Sequence, residues 1–334
     1  MSGSRRDRRL KRLRKQREES APEVKVVEAK AEEKIHTNKK HYRNVFAKIY
    51  DQEYKKLVLI PILLLLFAFV VIGVNLATTG EFINKGVSLK GGITLIIPSE
   101  SLDIPGLETA LKLQFTKNDM VVRELSELGN QLGVIVEADI HPEMRDEFLD
   151  FIVAQTNIPI DDYSIEEIGS SLGESFFKQT MIAVFMSFIF MGIVVFWYFR
   201  TLIPSGAVIL AAFSDIIITL AIVDIMGMKI GTAGIAAFLM LIGYSVDTDI
   251  LLSTRVLKRT KGTVMDRIYS AMKTGLTMNI TTMVAVTGGI ILADSEVIKQ
   301  IMIIILIGLL VDIINTWLQN VAILRYYLEK KGIK

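Results

Sequence analysis

Six runs of about twenty apolar residues dominate this 334-residue chain. Twenty residues of α-helix cross the roughly 30 Å hydrocarbon core of a bilayer. Inside that core the backbone must satisfy its own hydrogen bonds, which a helix does within one segment. The runs lie at Leu57–Ala77, Met181–Phe199, Ile203–Asp224, Ala233–Leu252, Leu276–Ala293 and Val297–Ile323. They predict an all-α bundle of six membrane helices, in keeping with 51% hydrophobic residues overall.

Basic residues orient the bundle. Eighteen Lys and Arg precede the first run, nine of them between Arg5 and Arg17. The connection between the fourth and fifth runs carries Arg255, Lys258, Arg259, Lys261, Arg267 and Lys273, and the chain's end carries Arg325, Lys330, Lys331 and Lys334. The opposite short connections hold only Lys229 and Lys299. The positive-inside rule then puts both termini in the cytoplasm, with the chain in the plasma membrane. The predicted organisation is a cytoplasmic tail over 1–56, the first helix over 57–77 and an outer domain over 78–176. Helices two to six follow over 177–324, with a cytoplasmic loop at 253–275 and a tail over 325–334.

The outer stretch Thr78–Phe176 is acidic, with 18 Asp and Glu against six Lys and Arg. Strands are expected at Leu89–Pro98, Met120–Leu125, Val134–Ala138 and Tyr163–Ile168, with a turn at Gly129-Asn130-Gln131. Helices are expected at Pro105–Phe115 and at Pro142–Ala154, where Met144, Phe148, Phe151 and Ile152 recur at helical spacing. The order βαββαβ predicts an inserted α+β domain of ferredoxin-like pattern.

The first 35 or so residues are rich in charge and poor in apolar groups, which predicts disorder. No aromatic residue interleaves with the basic run there. It therefore reads as a topology signal that attracts anionic lipids, not as a nucleic-acid arm. The segment Arg255–Lys273 is basic and partly amphipathic, and is expected to lie on the membrane surface. With no cysteine, and with His36, His41 and His141 scattered, neither a metal nor a cofactor is expected.

The chemistry lies in carboxylates within the apolar runs. Asp215 and Asp312 fall near mid-depth of the third and sixth, and Asp247 and Asp249 in the fourth. An ionisable group there is costly, and no Lys or Arg lies deep in any run to neutralise it. Each is either protonated and bonded to a neighbouring helix, or faces a hydrated cavity as an ion relay. Asp247 and Asp249 are about 200° apart around a helix, so they cannot point the same way. Asn279, Thr281 and Thr282 form a polar face on the fifth run. Gly231, Gly234, Gly243, Gly288 and Gly289 read as close-packing positions. Gly91-Gly92 reads as a tight turn, since no Gly-Lys-Ser/Thr follows to make a phosphate loop.

Four stretches carry a family resemblance. Gly86 through Gly92 is similar to a G-x-D-F-x-G-G pattern, with Ser88 and Leu89 replacing Asp and Phe. Glu167-Ile168-Gly169-Ser170-Ser171-Leu172-Gly173 is similar to a V-G-P-x-x-G pattern. Gly243-Tyr244-Ser245-Val246-Asp247-Thr248-Asp249 is similar to G-Y-S-I-N-D-T, and Thr277 through Thr282 completes the set. Together they resemble the SecF family of the Sec protein-export machinery, in its archaeal form. The resemblance implies a six-span unit like half of a resistance-nodulation-division transporter. It implies pairing with a SecD-like six-span subunit, contact with the Sec channel and an exported polypeptide, and coupling to the proton motive force. It also implies that Gly86, Gly91, Gly92, Gly173 and Gly243 are structural. Bacterial members have their membrane Asp at the sixth position of G-Y-S-I-N-D-T; here that is Thr248, flanked by Asp247 and Asp249, and the role carries to the pair. Their Arg three residues before the Asn is Leu276 here.

Two other classes remain open at this stage. An independent small-molecule or ion exporter would normally have two six-span halves, whereas this chain has one half and a compact outer domain. A purely structural subunit would use its Asp residues only to bridge helices. No nucleophile–base arrangement supports an enzyme.

Overall fold

The computed structural model describes residue 50 and residues 53–116, 118–127, 130–259, 262–293 and 295–332. The basic tail before Tyr50 and the turn at Gly129 lie outside the described residues. The chain divides into two units, residues 1–57 and 58–334. Among its described residues the first has a helical turn, Tyr54–Leu57.

The second unit opens with α1 (Leu59–Thr79), which carries no charge and ends where Gly80 turns left-handed at φ 75°. There the Gly80 N–H closes on the Leu76 carbonyl, and a glycine takes this backbone without a Cβ clash. The segment after it forms a one-turn helix, α2 (Val87–Lys90), instead of the start of the expected strand. Leu89 is the reason: its side chain is buried against Val223, Ile230 and Ile235 of the bundle, not in the sheet. Gly91 and Gly92, at φ 88° and 133°, then turn the chain into β1 (Gly92–Pro98).

The elements α3 (Ile104–Gln114), β2 (Met120–Glu127), β3 (Asn130–Ala138), α4 (Arg145–Thr156) and β4 (Ser164–Ile168) follow. Asp103 caps α3 by accepting the Gly106 N–H, with Pro105 in the first turn. The sheet is antiparallel in the order β2-β3-β1-β4, with Leu95 opposite Val136 on one side and Ile165 on the other. Alternation sends Ile93, Leu95, Ile97, Val134 and Val136 to one face, where they pack with Leu111 of α3 and Phe148 and Ile152 of α4.

The remaining helices are α5 (Ser170–Phe199), α6 (Leu202–Ile225), α7 (Thr232–Lys258), α8 (Val264–Leu292) and α9 (Glu296–Ile314). The last runs through a π-turn, Asn315–Asn320, into α10 (Val321–Lys330). Among the described residues, six helices are long and apolar enough to cross a membrane, the sixth being the composite Val297–Lys330. The α6 and α7 windows are 67% and 56% buried, against 11% for α5, so α6 and α7 form the centre. α1 packs on this centre through Ala68, which meets Ile218, Ala221 and Val311.

The loop expected over 253–275 is much shorter. α7 continues to Lys258 and α8 begins at Val264, so no surface helix lies between them. Arg267 explains this. It is buried, and its guanidinium donates to the carbonyls of Val256 at 2.8 Å and Arg259 at 2.6 Å, satisfying the end of α7. Thr263 and Asp266 form a reciprocal capping box that starts α8.

Candidate functional site

The centre of the bundle holds three wholly buried carboxyls, Asp215 on α6, Asp249 on α7 and Asp312 on α9. Asp215 accepts from the Ser245 hydroxyl at 2.5 Å and from the Asn315 amide at 2.7 Å. Asp249 accepts from Thr316 at 2.9 Å and from the Asn320 amide at 2.6 Å, both through Oδ1. Asp312 accepts from the Asn279 amide at 2.8 Å, and Asn279 in turn accepts from Thr248 at 3.4 Å. No Lys or Arg side chain is among these partners.

One hydroxyl joins two of the carboxyls. Thr316 Oγ1 lies 2.9 Å from Asp249 Oδ1 and 3.0 Å from Asp312 Oδ1. A hydroxyl has one proton to donate. It satisfies both contacts either by sharing that proton between the two oxygens or by donating to one carboxyl and accepting from the other when that one is protonated. The arrangement is chemically able to hold a proton between two acids and pass it across one side chain.

The π-turn builds this site. Asn315, Thr316, Gln319 and Asn320 are all buried within it, and three of them bond to a carboxyl. The fourth, Gln319, donates to Ser214 beside Asp215. A π-turn widens the helix by one residue per turn, and such turns recur at functional sites. Several oxygens here have no protein partner among the described residues: Asp249 Oδ2, Asn315 Oδ1, Asn320 Oδ1 and the hydroxyls of Thr219 and Ser253. The polar interior thus has acceptor capacity beyond its own donors.

The four expected acids divide three to one. Asp215, Asp249 and Asp312 come together, whereas Asp247 is exposed on the outer side of α7. Of the expected polar face on α8, only Asn279 bonds across helices. Thr281 and Thr282 return their hydroxyls to the Met278 carbonyl of their own helix, at 2.8 and 3.1 Å. This local bond is within reach of any helical Thr, so their hydroxyls do not bridge helices. Ser245, Asn315, Thr316 and Asn320 were missed. The signal was available: Asp312, Asn315, Thr316, Gln319 and Asn320 recur at i, i+3, i+4, i+7 and i+8, a polar stripe on an apolar helix.

The glycines also separate. A Cβ on Gly173 would stand 2.5 Å from the Gly91 nitrogen, and one on Gly91 would stand 2.5 Å from the Ser170 Cα. Two of the signature stretches therefore meet backbone to backbone, where β1 begins and α5 begins. A Cβ on Gly92 would stand 2.3 Å from the Ala138 carbonyl oxygen. Gly86 needs no such allowance, since its nearest neighbour would be 3.6 Å away; its N–H instead donates to the Ile230 carbonyl at 2.9 Å. Gly243 and Gly288 would meet nothing within 4 Å, so neither is a close contact within this chain. Gly234 and Gly289 do pack closely, a Cβ there standing 3.2 Å from Gln300 and 3.3 Å from Met302 respectively, and the tightest crossings are at Gly275, against Trp317, and Gly308, against Leu241.

Outside the bundle core, a cleft of about 330 Å³ separates the helix-free face of the sheet from the adjoining ends of the helices. Thr94, Arg123, Glu137 and Glu166 line one wall, and Ser88, Lys229, Thr232 and Gln300 the other. Lys229 also pairs with Asp119 at 2.6 Å, and Ser88 accepts the Thr232 N–H at 3.2 Å. Near the same level Asp224 accepts from Asn75 and from the Asn84 N–H, both at 3.3 Å.

Comparison with known proteins agrees with these features. Residues 151–330 match the family described as protein export membrane protein SecD/SecF, C-terminal. The protein-export membrane protein SecF of Pyrococcus furiosus is 35% identical over 287 residues, covering 84% of this chain and 93% of that one. SecF of Methanocaldococcus jannaschii is 36% identical over 296 residues, covering 85% and 99%. The fold is similar to a crystal structure of a Thermus SecDF, described as a translocon-associated membrane protein, with a TM-score of 0.65 at 18% identity. That match covers 85% of this chain and 38% of the SecDF chain, so this chain spans well under half of that protein. A second SecDF structure, in a super-membrane-facing form, gives a TM-score of 0.56. By the family match and the identity to these relatives over most of their length, the chain belongs to the SecF family of protein-export membrane proteins.

Proposed function

We propose that this chain pairs with a SecD-like six-helix subunit and assists polypeptide export through the Sec channel, driven by an ion gradient through Asp215, Asp249 and Asp312. Family membership supports the export role. The similarity to 38% of a SecDF chain supports a second membrane half supplied by a partner. The observation that carries the coupling is the Thr316 hydroxyl between Asp249 and Asp312, which links two buried acids through one side chain that can donate to either and accept from either when protonated. Gain or loss of a proton there changes which helices the side chains tie together, and so links ion movement to helix position.

The sheet order β2-β3-β1-β4, with two helices on one face, supports a ferredoxin-like outer domain. The basic residues at the α7–α8 connection and the chain's end support cytoplasmic termini, with the acidic sheet unit outside.

The test uses cells whose own SecF has been removed and replaced by this chain with its SecD partner. The fraction of a pulse-labelled secreted protein that crosses the membrane is measured. Asp249→Asn, Asp215→Asn and Asp312→Asn are each expected to lower export toward the deletion level, while Asp247→Asn leaves it near wild type. Wild-type export by a variant carrying all three buried substitutions would sink the coupling proposal while leaving the family assignment intact.

A further inference from the structure

A groove on the outer side of α5 and α6 takes no part in the carboxyl network. Its volume is about 710 Å³, and it is lined by Phe188, Gly192, Phe196 and Ile209, with Trp197 and Arg200 at one end. Gly192 makes the room, since a Cβ there would stand 3.3 Å from Ile209 Cδ1. From Phe188 to Arg200 the helix advances about 18 Å at 1.5 Å per residue. One leaflet of a roughly 30 Å hydrocarbon core is of similar depth.

The end of the groove differs from its floor. Arg200 is exposed, and it closes α5 in the left-handed conformation at φ 53°. Glycine usually fills that position, because a Cβ crowds the following carbonyl there. Arginine holds this unfavourable backbone while its guanidinium has no ion-pair partner among the described residues. Beside it Trp197 is 74% exposed, as expected of an aromatic at a membrane–water boundary. A strained residue is retained where its side chain does something, and this one places a free cation at the mouth of an apolar trough.

We propose that the groove holds one hydrocarbon chain of an anionic membrane lipid, with Arg200 pairing the lipid phosphate. The chain fills the space over Gly192 between Phe188 and Phe196, and the phosphate takes a charge-assisted hydrogen bond from the guanidinium. This inference is independent of the export reading.

The test is lipid retention by the full chain in mild detergent, counted by native mass spectrometry after exposure to phosphatidylglycerol or phosphatidylcholine. One basic residue at the surface favours the anionic lipid about five-fold. Arg200→Gln is expected to bring the two lipids to parity. Gly192→Leu fills the trough and lowers retention of both. Arg200→Gly relieves the backbone, so it is expected to raise the melting temperature in lipid-free detergent while losing the preference, which separates headgroup recognition from damage to the fold. Equal retention by the wild type, or a preference that survives in both Arg200 variants, overturns the proposal. So does a preference lost only with Lys258→Gln, a cation that sits 3.5 Å over the Tyr198 ring instead.

Discussion

Adding one methyl group at Gly275 should damage this protein, whereas the same change at Gly243 should help it. A Cβ on Gly275 would stand 2.6 Å from Trp317 Cζ2, 3.1 Å from Cη2 and 3.2 Å from Thr248 Cγ2. Carbon atoms rest at about 3.5–4.0 Å, so the first contact overlaps by about 1 Å. Trp317 is only 4% exposed and sits in the π-turn, so its ring has little room to retreat. Overpacking of this kind costs about 1–3 kcal/mol, against which alanine recovers about 0.5–1 kcal/mol of helix propensity. The net expectation for Gly275→Ala is a loss of about 1–2 kcal/mol. At Gly243 nothing lies within 4 Å, so only the propensity term acts and stability rises by about 0.5–1 kcal/mol.

The assay is thermal unfolding of both variants in one detergent, where a kcal/mol moves the midpoint by about 1–2 °C for a chain of this size. The midpoints should move in opposite directions. Trp317→Phe shortens the ring, so the double variant Gly275→Ala with Trp317→Phe should lose less than the sum of the singles. Equal shifts for the two glycines, or strict additivity with Trp317→Phe, would refute the packing argument.

Other substitutions test separate contacts. Asp249→Asn keeps an acceptor for Thr316 and Asn320 and should melt near wild type, whereas Asp249→Ala orphans the buried Asn320 amide and should cost about 1–3 kcal/mol on the same assay. Arg267→Met removes two charge-assisted bonds to the end of α7 and leaves the Val256 and Arg259 carbonyls without that donor. It should cost about 2–4 kcal/mol, and limited proteolysis should open the connection between α7 and α8 first. Phe148→Ala empties a wholly buried site between α4 and the sheet and should cost about 3–5 kcal/mol, read as earlier protease cleavage within 92–168. Lys229→Ala breaks a half-exposed ion pair with Asp119 and should change the midpoint by no more than about 1 kcal/mol's worth.

The six helices were legible because length and hydropathy suffice to specify a membrane span, and no neighbour can override them. The choice between Asp247 and Asp249 was not. Two residues 200° apart fix only that they face opposite ways, and which way is inward depends on where α6 and α9 stand. Of the helical glycines, Gly234 and Gly289 were legible as close contacts but Gly243 and Gly275 were not: both lie in helices, and only the crossing partner decides which one is pressed. The segment Arg255–Lys273 misled for a different reason. Its arginines look like surface charge in sequence, but Arg267 directs its guanidinium to helix-end carbonyls that hydropathy does not register.

The polar stripe from Asp312 to Asn320 is the feature that ties these points together. An ordinary α-helix would spread its five polar side chains along one narrow seam. The π-turn adds a residue within that stretch, so Asn315 reaches Asp215 on α6 while Thr316 and Asn320 reach Asp249 on α7. One short segment thereby contacts acids on both central helices and, through Thr316, the acid on its own helix. A change in protonation at any of the three acids therefore alters the bonding of the π-turn. That turn is packed through Trp317 against Gly275, so under the proposed coupling α8 would receive the change as well. The segment that holds the acids is thus also the one best placed to transmit what happens to them.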